Sequence, residues 1–387
     1  MLKLFYVCLF ITSGVSVPFF PPYLRGLGLS GKQVSLMMSV APVLHLGIPL
    51  GWGWLADRTR RPDLLLRIAC AGAALCILPL AGVRAMAALL TIYAAHQFFA
   101  VPILGLGDSL ALDRMRKTGE DYTRVRLWGS ASFLVICAAV GPLLDARGRT
   151  GDPLVPILLA VGFAAAAAAA FGLRGEPGRP APHLREVRAL LGNRRFLFIL
   201  VLAPLHWAAL TPYHGFLGIL ALDRGFPRST VSAAFFVAVL AEVAAFLVFP
   251  RLRRHLRLET LLAVMAGITV LRWVLIAGIP FGRPSAAAFL LLQLLHAATF
   301  GLYWASAMAW LAESIPSTLR ATGQALFTAV TFGLGNLVGF AACGRLYDFT
   351  GSAEAAFLAA AGLELIPLAM ALLARRRPQL SRDPAGS

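Results

Sequence analysis

The chain has 387 residues, of which 59% are hydrophobic and 14% charged, with a mean hydropathy of +0.76. Soluble domains carry roughly a quarter charged residues, so a water-soluble fold could not hide this much apolar surface. The net charge of +17 would suit nucleic acid only if the basic side chains shared one water-facing patch; here they are strung between apolar runs, which excludes that partner.

Runs long enough to cross a bilayer, about 20 residues each, lie near 4–24, 34–56, 64–83, 86–112, 126–145, 153–173, 196–221, 229–250, 258–279, 285–312, 319–345 and 354–374. This pattern predicts an all-α membrane protein of twelve transmembrane helices. The first run is as long as a full span and no small-residue cleavage site follows it, so it reads as an anchored helix and not a removed signal peptide. The one sizeable polar interruption, RGEPGRPAPHLREVRALLGNRR at 174–195, separates six spans from six. It defines an amino-terminal bundle over 1–173, a linker over 174–195 and a carboxyl-terminal bundle over 196–387. Counting from a cytoplasmic amino terminus, 25 of the 35 Lys and Arg fall on the inner side and nine on the outer, with Arg272 inside a span. The positive-inside rule then puts both termini and the linker in the cytoplasm, in the inner membrane of a bacterium. All five cysteines lie within spans at no metal-ligand spacing, so they read as small core residues, with no metal and no cofactor expected.

Taken in chain order, the first motif is GWLADRTRRPD, Gly53 to Asp63, between spans 2 and 3. It resembles the loop signature of the major facilitator superfamily, whose Asp and Arg form a latch that breaks as two six-helix bundles rock. The resemblance gives that role to Asp57 and Arg58. Arg60 stands where the family has glycine, which puts the turn geometry in question. The next motif runs from span 4 into span 5, LGLGDSLALDRMRKTGEDYTRVRLWGSASF, Leu104 to Phe133. YTRVRLWGSASF is similar to the start of helix 5 in the lactose permease and phenylpropionate transporter branch. The resemblance makes Arg126 a substrate contact and Asp108, eighteen residues earlier, its acidic partner, with Phe133 nearby. An embedded charge is costly unless partnered or hydrated, and an Arg fork suits a carboxylate or vicinal hydroxyls.

GPLLDARG at Gly141 to Gly148 returns as GRLYDFTG at Gly344 to Gly351, at the ends of spans 5 and 11. Such internal similarity is the mark of repeated halves that alternate access to a midplane site. In the second half Glu242, Arg272 and His296 stand alone in the apolar spans 8, 9 and 10. The branch has an embedded Glu, Arg and His at these places, which implies substrate binding by Glu242 and His296 and proton coupling by Glu242, Arg272 and His296. Burial disfavours the charged form of a carboxylate, so Glu242 can load a proton near neutrality. The branch's further acid on span 10 is replaced by Thr299, and its nearby lysine by Gln293. His45, His96, His206 and His214 also lie in spans, where a lone histidine more often bonds a neighbouring helix than a ligand. Glu364 in span 12 is an isolated acid facing a hydrated gap or lying near the interface. Trp128, Phe133, Tyr213, Phe300, Tyr303 and Trp304 could stack on an aromatic solute, or simply pack.

An embedded enzyme would need a nucleophile with its base or a metal set, and neither HExxH nor GxSxG occurs. His255 and Glu259 are four apart but have no third ligand. A channel would need a filter-like repeat. The reading is a monomeric secondary transporter working with a small-molecule substrate, protons and the lipid bilayer. An aromatic acid is favoured, with a sugar or nucleoside symporter and a proton-antiport exporter as alternatives.

Overall fold

A computed structural model describes residues 1–118, 122–173, 190–278, 285–315 and 319–376. Among them there is no β-strand, and each of the twelve expected apolar runs has a helix. The spans are α1 Leu2–Gly26, α2 Gly31–His45 with Ile48–Ala56, α3 Pro62–Ala81, α4 Met86–Ala111, α5 Val125–Arg147 and α6 Leu154–Ala170. They continue as α7 Arg194–Asp223, α8 Arg228–His255, α9 Leu258–Gly278, α10 Ala286–Ser314, α11 Gly323–Thr350 and α12 Glu354–Arg376. Ten are long single spans; α2 is a pair bent by 40°, and α6, with 17 residues, is shorter. Seventeen residues rise about 25 Å, close to the thickness of the hydrocarbon layer.

Local chemistry sets the ends and breaks. Ser30 starts α2 with a reciprocal capping box to Gln33. The bend in α2 falls at Gly47, just before Pro49, which has no N–H to offer the carbonyl of His45. The repeated motif explains itself in backbone terms: Gly148 (φ +62°) and Gly351 (φ +70°) both sit in the left-handed region as α5 and α11 end, a conformation that favours glycine. Arg60 is the one non-glycine with positive φ (54°) among the described residues. The turn therefore keeps the left-handed geometry that glycine would serve, at a cost of about 1–2 kcal/mol for an L side chain.

The chain divides into two compact units, one of Met1–Ala181 with Leu217–Ser232, the other of Pro182–Phe216 with Ala233–Ser387. In the first, α1 packs along α5 and α6, and α3 packs along α4 and α6. Its core includes Phe5, Tyr6, Leu66, Ala69, Ile103 and Ala166, all fully buried. Arg67 ties α3 to the end of α6 by donating to the carbonyls of Ala170 and Leu173 while pairing with Asp63 at 2.7 Å. Asp145, the acid of the repeat, accepts from the backbone N–H of Arg228 and Ser229, each at 2.8 Å. A carboxylate from α5 thus caps the positive end of α8. Gly141 lies so close to Ser232 and the carbonyl of Arg228 that a Cβ there would collide with both.

In the second unit α9 packs along α12 and against α10, around Leu202, Leu262, Trp310 and Phe327. Asn193 caps α7 by accepting from the N–H of Arg195 and Phe196, and its amide donates to the carbonyl of Ser314. The basic end of the 174–195 segment is therefore already the start of a helix, whereas 174–189 lie outside the described residues. Two of the apolar spans contain π turns. α10 makes a wide π turn over Ala297–Leu302 and α11 another over Ala329–Gly335, a feature common at functional positions.

Candidate functional site

The first cluster joins α1, α4 and α5. Arg126 donates through Nη1 to both carboxylate oxygens of Asp108, at 3.3 and 3.2 Å. Tyr6, in the first helix, donates its hydroxyl to Asp108 Oδ1 at 2.6 Å. The Arg126 guanidinium lies over the ring of Phe10, 5.6 Å from its centre. The side chains of Arg126 and Asp108 remain 37% and 29% exposed, so the ion pair can be reached from outside the protein interior. Its bonds are longer than the 2.7–2.9 Å typical of charge-assisted contacts. Phe133 is two helical turns beyond Arg126 and buried, with its backbone laid over Gly14 of α1.

The second cluster joins α7, α8, α9 and α10. Arg272 is completely buried, although it lies in an apolar span. Its Nη1 donates to Thr299 Oγ1 at 2.7 Å and meets His296 Nδ1 at 3.2 Å, while Nη2 donates to Gln293 Oε1 at 2.8 Å. These three acceptors are all neutral. The rings of Tyr213 and Trp273 flank the guanidinium with centres 4.9 and 4.8 Å away. Because a guanidinium only donates, His296 Nδ1 must accept, which makes His296 a neutral imidazole with its hydrogen on Nε2. That nitrogen lies 3.7 Å from Glu242 Oε2. The result is a chain of Arg272, His296 and Glu242 in which a single imidazole stands between a cation and a carboxyl group. Gly301 makes the approach possible: a Cβ there would press on Ala245 and on the stem of Glu242.

Aromatic rings surround this relay. His296 lies between Tyr213 and Phe300, with ring centres 4.5 and 5.1 Å away and planes nearly parallel. Trp207 contacts Phe300, Trp304 and Phe332. Trp128, by contrast, is more than half exposed and lies near the Lys3 ammonium.

Of the proposed latch, Arg58 is exposed and packs over the Trp54 ring at 5.4 Å; the side chain of Asp57 lies outside the described residues. His45 and His96 each bond a backbone carbonyl, of Ala41 and Ala73. His206 bonds neighbouring helices, as a lone membrane histidine is expected to, whereas Glu364 differs from its sequence reading. Glu364 neither faces a hydrated gap nor lies at the interface: it is fully buried and meets His206 at 2.7 Å. Tyr6 was likewise invisible as a member of the first cluster. The only signal for these three was a polar side chain in an otherwise apolar helix, with nothing to indicate its partner 102 or 158 positions away.

The profile of the MFS_1 like family matches residues 1–359. The maltose permease of Geobacillus stearothermophilus is 31% identical over 342 residues, covering 86% of this chain and 83% of the relative. The "Probable 3-phenylpropionic acid transporter" of Escherichia coli (strain K12) is 27% identical over 363 residues, covering 90% of this chain and 91% of the relative. The crystal structure of the nucleoside transporter NupG superposes with a TM-score of 0.85 at 17% identity, covering 96–97% of this chain and 98% of that one, which shows the fold. The chain belongs to the MFS_1 like family of the major facilitator superfamily and is a multi-pass integral membrane transporter.

Proposed function

We propose that this transporter is a proton-coupled symporter for a small organic solute, with an aromatic carboxylate as the favoured class. Two bundles, 1–173 and 196–387, would alternate access in the bacterial inner membrane, with both termini and the 174–195 linker in the cytoplasm. The chain works as a monomeric carrier and not as an enzyme, and Asp57 with Arg58 would latch one of its states. The observation that supports proton coupling is the imidazole of His296, held neutral by Arg272 with its Nε2 3.7 Å from Glu242 Oε2. Glu242 can hold a proton or remain a carboxylate facing that donor, and the position of Arg272 biases the choice.

The half-exposed Arg126 supports the carboxylate reading, since its fork can exchange Asp108 for a solute anion. The likeness to the 3-phenylpropionic acid transporter points the same way. A sugar is the second reading, favoured by the maltose permease and by the ability of an Asp and Arg pair to bind vicinal hydroxyls. The test is uptake of labelled 3-phenylpropionate and maltose into proteoliposomes. Accumulation of 3-phenylpropionate driven by an alkaline interior, and abolished by a protonophore, is expected. Maltose uptake in its place would overturn the substrate class, and uptake indifferent to the gradient would overturn symport. Glu242→Gln should lose accumulation by at least tenfold while retaining exchange of solute across the membrane, because exchange does not require the proton to leave. Normal accumulation in Glu242→Gln would remove it from coupling.

A further inference from the structure

Glu364 of α12 and His206 of α7 are both fully buried, with Oε1 and Nδ1 2.7 Å apart. The other ring nitrogen, Nε2, lies 2.9 Å from the carbonyl oxygen of Thr299. A carbonyl only accepts, so Nε2 carries a hydrogen. Two atoms with lone pairs come within 2.7 Å only when a proton lies between them, so Nδ1 and Oε1 share one as well. The pair is therefore imidazolium with carboxylate or imidazole with carboxylic acid. Both forms have zero net charge and both contain one exchangeable proton.

The backbone of α10 is built around this pair. In a regular helix the N–H of Tyr303 would bond the carbonyl of Thr299, four residues back. In the π turn that N–H instead bonds the carbonyls of Ala298 and Phe300, which frees the Thr299 carbonyl for His206. The hydroxyl of the same Thr299 receives Arg272, so one residue links the His206 and Glu364 pair to the chain of Arg272, His296 and Glu242. The ring of Tyr303 stacks on His206 with centres 3.4 Å apart. Tyr303 of α10 is thus the titratable side chain against the pair, and Arg272 of α9 reaches it only through Thr299. Glu364 Oε2 and the Tyr303 hydroxyl are both buried without a hydrogen-bond partner. A bare acceptor and a bare donor in an apolar interior are costly.

We propose that His206 and Glu364 form a second proton-exchange site of the transporter, coupled through Thr299 to the site at Glu242. In the exchange step, which requires water to reach the buried pair as the helices move, the proton between Nδ1 and Oε1 passes to that water, leaving a neutral imidazole and a carboxylate. The π turn would govern that step, since α-helical winding at Thr299 would withdraw its carbonyl from His206. The transport use of the site rests on the proton-coupled reading above; its capacity to exchange a proton does not.

The test needs no solute. Protons released by the purified protein between pH 6 and 10 are counted with an indicator dye. Glu364→Gln keeps both hydrogen bonds, with its amide donating to Nδ1, but has no proton to give, so it should release one proton fewer per chain than the unmodified protein. Equal release would make the pair a static tether and overturn the proposal. Should Glu364→Gln not fold, infrared spectra of protein with side-chain 13C-labelled glutamate in the Glu242→Gln background read the same event. A glutamate band changing over that pH range is expected, and an unchanged spectrum overturns it. Failure of solute uptake with one-proton release intact would fault the substrate reading alone. Gradient-driven uptake with equal release would leave Glu242 as the sole proton carrier.

Discussion

The two clusters each hold an arginine, and the protein treats the two in opposite ways. Arg126 has a carboxylate partner, lies more than a third exposed, and makes long bonds. Arg272 is wholly buried and is held by a hydroxyl, an amide oxygen and an imidazole nitrogen, all neutral, between two aromatic rings. An exposed ion pair of ordinary geometry is worth roughly 0–1 kcal/mol, so it can open for a solute at little expense. A buried cation whose acceptors are fixed by packing cannot move without leaving several of them unsatisfied. The first arrangement suits recognition, and the second suits setting the field around a neighbouring proton carrier.

The largest effect should come from breaking the second arrangement. Arg272→Leu leaves Thr299 Oγ1, Gln293 Oε1 and His296 Nδ1 without their donor, and buried polar groups stranded in this way cost about 1–3 kcal/mol each. Melting of the purified protein should fall by several degrees and gradient-driven uptake should be lost. Arg272→Lys separates charge from geometry: an ammonium restores the positive field but cannot fork onto three acceptors. It should melt between the other two proteins. Equal melting of Arg272→Leu and the unmodified protein would erase the contrast drawn above.

Arg126→Gln and Asp108→Asn sharpen the contrast from the other side. Both should leave melting within about 1 kcal/mol of the unmodified protein, as expected for an exposed pair. Both should weaken 3-phenylpropionate binding at least tenfold, about 1.4 kcal/mol, through loss of the anion contact in one case and of the group orienting Arg126 in the other. Unchanged affinity in both variants would remove this pair from the site.

The two clusters were also unequally legible. The spans, the repeat and the positions of Asp108, Arg126, Glu242, Arg272 and His296 stand out because a charged side chain in an apolar run is rare and expensive. What the sequence could not reveal is which polar groups meet. His206 and Glu364 sit on helices far apart in sequence, each the kind of single polar residue that usually bonds a nearby carbonyl, as His45 and His96 do. Thr299 was legible as a missing acid, but its importance lies in a carbonyl released by a π turn, and backbone winding leaves no mark in a pattern of side chains. Arg60 shows the same limit at a turn: the left-handed geometry persists although the glycine that would signal it is gone.

Tyr6 offers the finest measure of the exposed cluster. Its ring is buried against Phe5 and Phe10, so Tyr6→Phe retains the packing and removes only the hydroxyl that reaches Asp108 at 2.6 Å. That contact is shorter than either bond from Arg126, so it is the one that best fixes the direction of the carboxylate. Without it the carboxylate can lean toward Arg126, and a solute anion must displace a tighter pair. A net hydrogen bond is worth about 0.5–1.5 kcal/mol, and partial exposure of Asp108 keeps the effect at the lower end. Affinity for 3-phenylpropionate should therefore fall about twofold to fivefold, and melting should shift slightly. Tryptophan fluorescence titration and thermal melting measure the two quantities on the same sample. A loss as large as that in Asp108→Asn would mean that the Tyr6 hydroxyl touches the solute itself and belongs to the recognition surface, not to the support behind it.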